Sequence, residues 1–209
     1  MSREKKFRVP SSGFRVGEGQ DAPVEGLAAR RAALELLTAV RKGKTFEAAL
    51  AKAIATLSDA DRRLAHELAA GVFRQQRDLD ARLMPLARHG WSTVSHELRD
   101  ILRLGAYQLV ALERVPPHAA VSTSVELARG EVGEKAAGFV NALLRQLGGR
   151  AAPPAFALDP AANLASRHSH PDWLVRRWLD RFGPAETEAL LAWNNTRPEL
   201  VVQPARSTL

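Results

Sequence analysis

The sequence predicts an all-α protein: a bundle of about seven helices over residues 24–150, followed by a linker and a small second helical unit. Three observations carry that prediction. Apolar residues recur at i, i+3, i+4 and i+7 in one segment after another. Residues 24–150 show little strand-like alternation and few β-branched runs. Glycine, proline and small polar residues stand where such helices would start and stop.

Glu25 to Arg41 reads as the first helix, with Ala33, Leu34, Leu37 and Val40 facing inward and Gly43 stopping it. Thr45 caps the second, where Phe46, Ala49, Leu50, Ala53, Ile54 and Leu57 give the cleanest helical period. Ser58 opens the third; its hydroxyl can accept an orphan N–H, and Asp59 and Asp61 suit the positive helix end. Leu64, Leu68, Ala69, Val72 and Phe73 form its core face, and Leu79, Leu83 and Leu86 suggest a further segment before Gly90. Glu97 to Leu112 is apolar around most of its circumference, which places it at the bundle centre. Gly105 lies on its most apolar stripe, where a missing side chain admits another helix, and Tyr107 falls on the more polar side. Pro116 and Pro117 fix the start of the next helix, because a locked φ and a missing N–H suit a first turn. After Gly133, Phe139, Val140, Leu143, Leu144 and Leu147 share an arc about 140° wide, while Asn141 and Arg145 sit four apart on the other side.

Gly148-Gly149 closes the block. Residues 151–167, rich in Pro and Ala, read as a linker. From residue 168 a new unit begins: Pro171 opens a helix, Leu174, Trp178 and Phe182 share a stripe, Gly183-Pro184 breaks it, and a second helix runs to about Trp193. Asn194 to Pro198 reads as a turn, and Leu200 to Val202 as the start of a strand. Three of the four tryptophans follow residue 170, in a unit too small to bury them well, so they should be partly uncovered. Residues 1–23 mix Arg, Lys, Ser, Gly and Pro without a signal-peptide core and read as a disordered basic tail.

A net charge of +7 and a sequence pI near 10.5 favour polyanionic partners, without being specific to nucleic acid. The absence of cysteine excludes disulfides, thiolate metal sites and a cysteine nucleophile, and fits a cytoplasmic protein. No apolar run approaches the roughly 20 residues that span a bilayer, so no membrane partner is expected. The six histidines show no metal-ligand spacing, and no metal is expected.

Several strings then point the same way: Pro116-Pro117-His118-Ala119-Ala120-Val121, Val125-Glu126, and Phe139-Val140-Asn141-Ala142-Leu143-Leu144-Arg145. Arg30-Arg31-Ala32-Ala33, Glu67 to Arg74 and Leu102 to Leu109 precede them in order. Together they closely resemble the NusB-like RNA-binding domain, in the form found at the N-terminus of ribosomal RNA cytosine-C5 methyltransferases of the RsmB (Sun/Fmu) type. The resemblance spans residues 26–203, and Ser169 to Leu174 is similar to the segment that opens the methyltransferase region.

That resemblance implies a role in ribosomal RNA methylation, with this part holding the RNA, expected to be small-subunit ribosomal RNA. Family enzymes bind S-adenosylmethionine in a doubly wound domain and attack the cytosine C6 with a cysteine. This sequence has no cysteine and no glycine-rich strand-to-helix loop. The expectation is therefore an N-terminal part, truncated before the catalytic domain that would be its partner, with no cofactor of its own and no methyl transfer by itself. Two alternatives stay open: a free NusB-type antitermination factor that binds RNA with a protein partner, and a helical protein-interaction module.

By resemblance, Arg30 and Arg31 are the first candidates for RNA phosphate contact; the competing reading pairs Arg31 with Glu35 on a solvated helix start. Arg63, Arg74 and Arg77 lie on one stripe of the third helix, and Arg74 and Arg77 join the candidate set, although Glu67 among them equally suits a salt-bridged face. Asn141 and Arg145 offer an amide and a guanidinium fork for base or sugar contact, or else hold the preceding loop. His118 reads as a structural helix-start residue, and Tyr107 and the tryptophans as packing groups rather than stacking platforms.

Overall fold

A computed structural model describes residues 26–149 and 159–196. Eight α-helices follow one another there: α1 (Leu27–Arg41), α2 (Phe46–Ala53), α3 (Asp59–Leu83), α4 (His96–Ala111), α5 (Pro117–Glu131), α6 (Glu134–Gly148), α7 (Pro160–Arg167) and α8 (Asp172–Asn194). No strand occurs among the described residues, and none of their helices is long and apolar enough to cross a membrane. The basic tail, the first half of the expected linker and the Leu200–Val202 strand lie outside the described residues.

The bundle is built around α4, which packs against α1, α3, α5 and α6. Ser95 caps it by accepting the Leu98 N–H, and Ile101, Leu102, Leu104 and Ala106 are buried. Gly105 sets its approach to α5 and α6. A Cβ there would stand 2.4 Å from a Leu144 methyl and 2.8 Å from the Ser124 hydroxyl. The helices can close to this distance only because the side chain is missing.

Tyr107 is buried rather than on a polar side. Its ring lies over Gly71 of α3, where a Cβ would meet ring carbons at 2.0 Å, and its hydroxyl donates to Glu67 at 2.6 Å. The polar side of the α4 pattern is thus an interior side whose polar groups find partners. Burial, and then the Glu67 carboxylate, push the Tyr107 phenol above its ordinary value.

Three boundaries differ from expectation. Residues 26–149 hold six α-helices where about seven were expected, because the further segment with Leu79 and Leu83 follows the first part of α3 directly, across a kink at Gln75. No Gly or Pro interrupts residues 74–84, although the backbone leaves helical geometry at Gln75; Pro85 then limits the end to a short 3-10 turn. α2 stops at Ala53, short of Leu57. Arg62 caps the carbonyls of Ile54 and Ala55, and the turn lets Ile54 and Leu57 pack on Ala29, Ala32 and Ala65. Finally, residues 160–167, expected within the linker, form α7, whose Asp159 cap accepts the Ala161 N–H and whose Pro160 fits the first turn.

α7 and α8 form a small core of Ala165, Val175 and Leu191 with Trp178 and Leu179 against it. α8 bends at Gly183, whose φ of 75° lies in the left-handed region that favours glycine. The pair is fastened to α3. Arg77 donates to the His170 carbonyl and to Asp172, and Ser169 accepts the Asp78 N–H at 3.2 Å. Trp173 and Trp193 remain 65% and 71% exposed, whereas Trp178 is half-buried, which is the partial uncovering that the small unit implied.

Candidate nucleic-acid interface

The six candidate residues do not converge on one spot. Asn141 and Arg145 do come together, one turn apart on α6, with Arg145 Nε donating to Asn141 Oδ1 at 2.9 Å. They stand on the rim of a groove of about 480 Å³ between α5 and α6. Val121, Val125 and Leu144 supply apolar lining, and His118 stands at the α5 end. The arrangement follows from sequence. Pro116 and Pro117 start α5 so that its first turn faces the last turns of α6, and Val140 and Leu143 pin the opposite face of α6 to the core.

Chemically the rim is well suited to a polar ligand over an apolar base. Arg145 is exposed and spends one N–H on Asn141, which leaves the rest of its fork for a further partner. With its oxygen occupied, the Asn141 amide still presents two N–H donors. Glu126 also lines the groove, but it is paired with Arg129, which offsets its charge.

Arg30 behaves otherwise. It is 5% exposed; its Nε donates to Gln108 Oε1 at 2.9 Å and its Nη1 to the Gly26 carbonyl at 2.9 Å. Burial pulls its guanidinium below the ordinary value, opposed by the Asp61 carboxylate. In this geometry Arg30 joins α1 to α4 and does not present its fork to a surface ligand.

Arg31 is exposed and pairs with Glu131 at the far end of α5 at 2.8 Å, not with Glu35. Arg74 lies 3.8 Å from Glu67, beside Tyr107, and Arg77 is engaged with α8. The groove thus gathers Asn141 and Arg145, while Arg31, Arg74 and Arg77 lie on other elements.

Sequence reasoning missed one polar feature. Arg103 donates to both oxygens of Asp80, at 2.8 and 2.7 Å, and to Asp100 at 2.9 Å, and Asp100 also meets Arg41 at 3.3 Å. Burial alone would lower the Arg103 guanidinium, but Asp80 and Asp100 outweigh it and hold the group above its ordinary value. The i, i+3 spacing of Asp100 and Arg103 was visible, yet only the fold brings Asp80 to them. Among the described residues no group of three or more His, Cys, Asp or Glu is arranged to hold a metal ion.

Comparison with known proteins bears on the fold of the bundle. Residues 27–148 match the model of the NusB family. A Synechocystis protein named Probable ribosomal RNA small subunit methyltransferase B is 38% identical over 145 residues, covering 69% of this chain and 32% of that protein. The Ribosomal RNA small subunit methyltransferase B of Serratia proteamaculans is 30% identical over 169 residues, covering 81% of this chain and 38% of that protein. The chain thus spans at most about two fifths of the length of such curated relatives. Among solved structures, the crystal structure of PH0851 superposes with a TM-score of 0.66 at 16% identity, covering 93% of this chain and 41% of that one, a likeness of fold.

Proposed function

The chain belongs to the NusB family through residues 27–148, and from that membership we propose that its bundle holds RNA for a ribosomal RNA cytosine-C5 methyltransferase. The observation that carries the proposal is the α5–α6 groove, where the two family-like motifs place Asn141 and Arg145 on the rim of an apolar cavity. A base edge can meet the Asn141 amide while a phosphate meets the Arg145 fork. Arg31, exposed at the other end of α5, supplies a further phosphate contact once it exchanges Glu131 for RNA. Arg74 can follow on the same terms, whereas Arg77 serves first to fasten α8.

The relatives named for ribosomal RNA small-subunit methylation support small-subunit ribosomal RNA as the partner. S-adenosylmethionine belongs to the whole enzyme of this kind, at strand ends of an open α/β sheet. The described residues contain no strand, and the sequence has neither a glycine-rich strand-to-helix loop nor a cysteine. The residues present therefore do not fit that cofactor, and this chain's contribution is to bind and orient RNA for a catalytic domain.

The test is RNA affinity against salt for the wild type and the Asn141→Ala/Arg145→Glu double variant. Both side chains lie at the surface of a rim, so the fold should persist. The variant should bind RNA more weakly, and the slope of log affinity against log salt should fall by about 1, one phosphate contact's worth. Unchanged affinity and slope would remove the groove from the interface.

A further inference from the structure

The first half of α8 carries an outward stripe with no role in the small core. Trp173, Arg177 and Arg181 recur every four residues, so they share one face of the helix, about 6 Å apart along its axis. The inner face is made by other residues, Val175, Trp178 and Leu179. Trp173 is 65% exposed, the reverse of what a packing tryptophan does.

Trp173, Arg176, Arg177 and Arg181 line a shallow depression together with a single acid, Asp180. Three guanidiniums against one carboxylate leave this small surface at +2 (+3 − 1). Arg176 is spoken for, because it pairs with Asp159. Arg177 and Arg181 have no carboxylate partner among the described residues, and the Arg181 guanidinium lies 5.5 Å from the Phe182 ring centre. The stripe is also held in place. Asp172, next to Trp173, is paired with Arg77 of α3 at 2.8 Å, and the adjoining His170 carbonyl accepts from the same arginine. An exposed indole fixed to a rigid bundle, beside two uncommitted cations, meets the requirements of a base-stacking platform on a polyanion track.

We infer that the Trp173–Arg177–Arg181 stripe is a second RNA contact, in which an unpaired base stacks on the Trp173 indole and neighbouring phosphates meet Arg177 and Arg181. The charge sign selects a polyanion, and the open aromatic face selects one whose bases are unstacked. The inference rests on the RNA-binding reading of the bundle for the identity of the partner, but it uses none of the same residues. It also assigns α8 a preference of its own: single strand over duplex, since paired bases hide their faces.

The experiment uses the whole 209-residue chain with two probes, a 20-nucleotide oligouridylate and an RNA duplex of the same length. Trp173→Ala should weaken oligouridylate binding by about 5- to 150-fold, the range for losing one base–aromatic stack. It should leave the salt slope and the duplex affinity unchanged, and Trp173→Tyr should restore most of the loss. Arg177→Glu/Arg181→Glu should instead lower the salt slope by about 1.4, two contacts at the single-strand value. Thermal melts should match the wild type, because these side chains are exposed. If Trp173→Ala leaves oligouridylate binding unchanged, or weakens single strand and duplex alike, the stacking platform is wrong. If that happens while Asn141→Ala/Arg145→Glu still weakens binding, only this inference fails. If the wild type binds neither RNA at low salt, the reading of the bundle fails with it.

Discussion

Arg103 shows how a single polar residue can organise the inside of this bundle. The residue is 8% exposed, and its guanidinium satisfies Asp80 and Asp100 at once. Truncating it would leave two carboxylates in a poorly solvated place, which is the costly way to break a buried pair. Arg103→Ala should therefore lose about 3–5 kcal/mol of unfolding free energy, and Arg103→Met, which refills the volume but leaves the same two carboxylates without their cation, should lose nearly as much. Denaturant titration of the two variants checks this, and equal small losses would show that the network is solvated. His168 gives a pH-dependent counterpart. Burial, with Arg167 adding, holds its imidazole below the ordinary value, and its Nε2 is buried without a hydrogen-bond partner. The folded state therefore prefers neutral His168, while the unfolded chain takes up a proton near pH 6.5. Its contribution is present above that pH and is lost as pH falls below it. His168→Gln should flatten the stability difference between pH 7.5 and pH 5, a change that denaturation at the two pH values would read directly. Residues of this kind were the least legible in sequence. Arg30 looked like a surface cation and is a buried strut to Gln108, because nothing local announces a partner 78 positions away.

Helices were legible to the extent that local chemistry set them. Thr45 and Ser58 each accept an N–H in the first turn of their helices, and the proline pair starts α5 as its backbone demands. Ends set by tertiary contact were not legible, as where Arg62 caps the last carbonyls after α2. The apolar girdle of α4 located the centre correctly, and the test of that placement is quantitative. Leu102 is fully buried, so Leu102→Ala should cost about 2–5 kcal/mol through the cavity it leaves. Gly105→Ala presses from the other direction. The added methyl has 2.4 Å to a Leu144 carbon, so the Leu144 side chain or its helix must give way, and a loss of about 1–3 kcal/mol is expected. Thermal melts serve for both. Because Leu144 also lines the groove, Gly105→Ala should disturb RNA binding more than Leu102→Ala does at equal stability loss.

On the scale of the molecule, α7 and α8 are fastened to the bundle through Arg77, Asp78 and Ser169, so the second unit is more than an appendage on a linker. That docking was not legible because it depends on a long-range ion pair; the exposed tryptophans were, because a unit this small cannot cover them. The chain also carries a chemical prediction. Adding to cytosine C6 requires a strong nucleophile, and this sequence has no cysteine. Incubated with unmodified small-subunit ribosomal RNA and S-adenosylmethionine, the purified chain should incorporate methyl groups only at background level. Incorporation above background would overturn the division of labour between RNA holding and catalysis.

If the α5–α6 groove is where this protein holds RNA, ultraviolet cross-linking followed by peptide mass spectrometry should find the RNA there. With the whole chain bound to a small-subunit ribosomal RNA fragment, nucleotide adducts should fall within residues 117–126 and 139–148, the two walls of the groove. Adducts confined to α2 and the first half of α3, with none on those walls, would put the RNA elsewhere and rule the groove out.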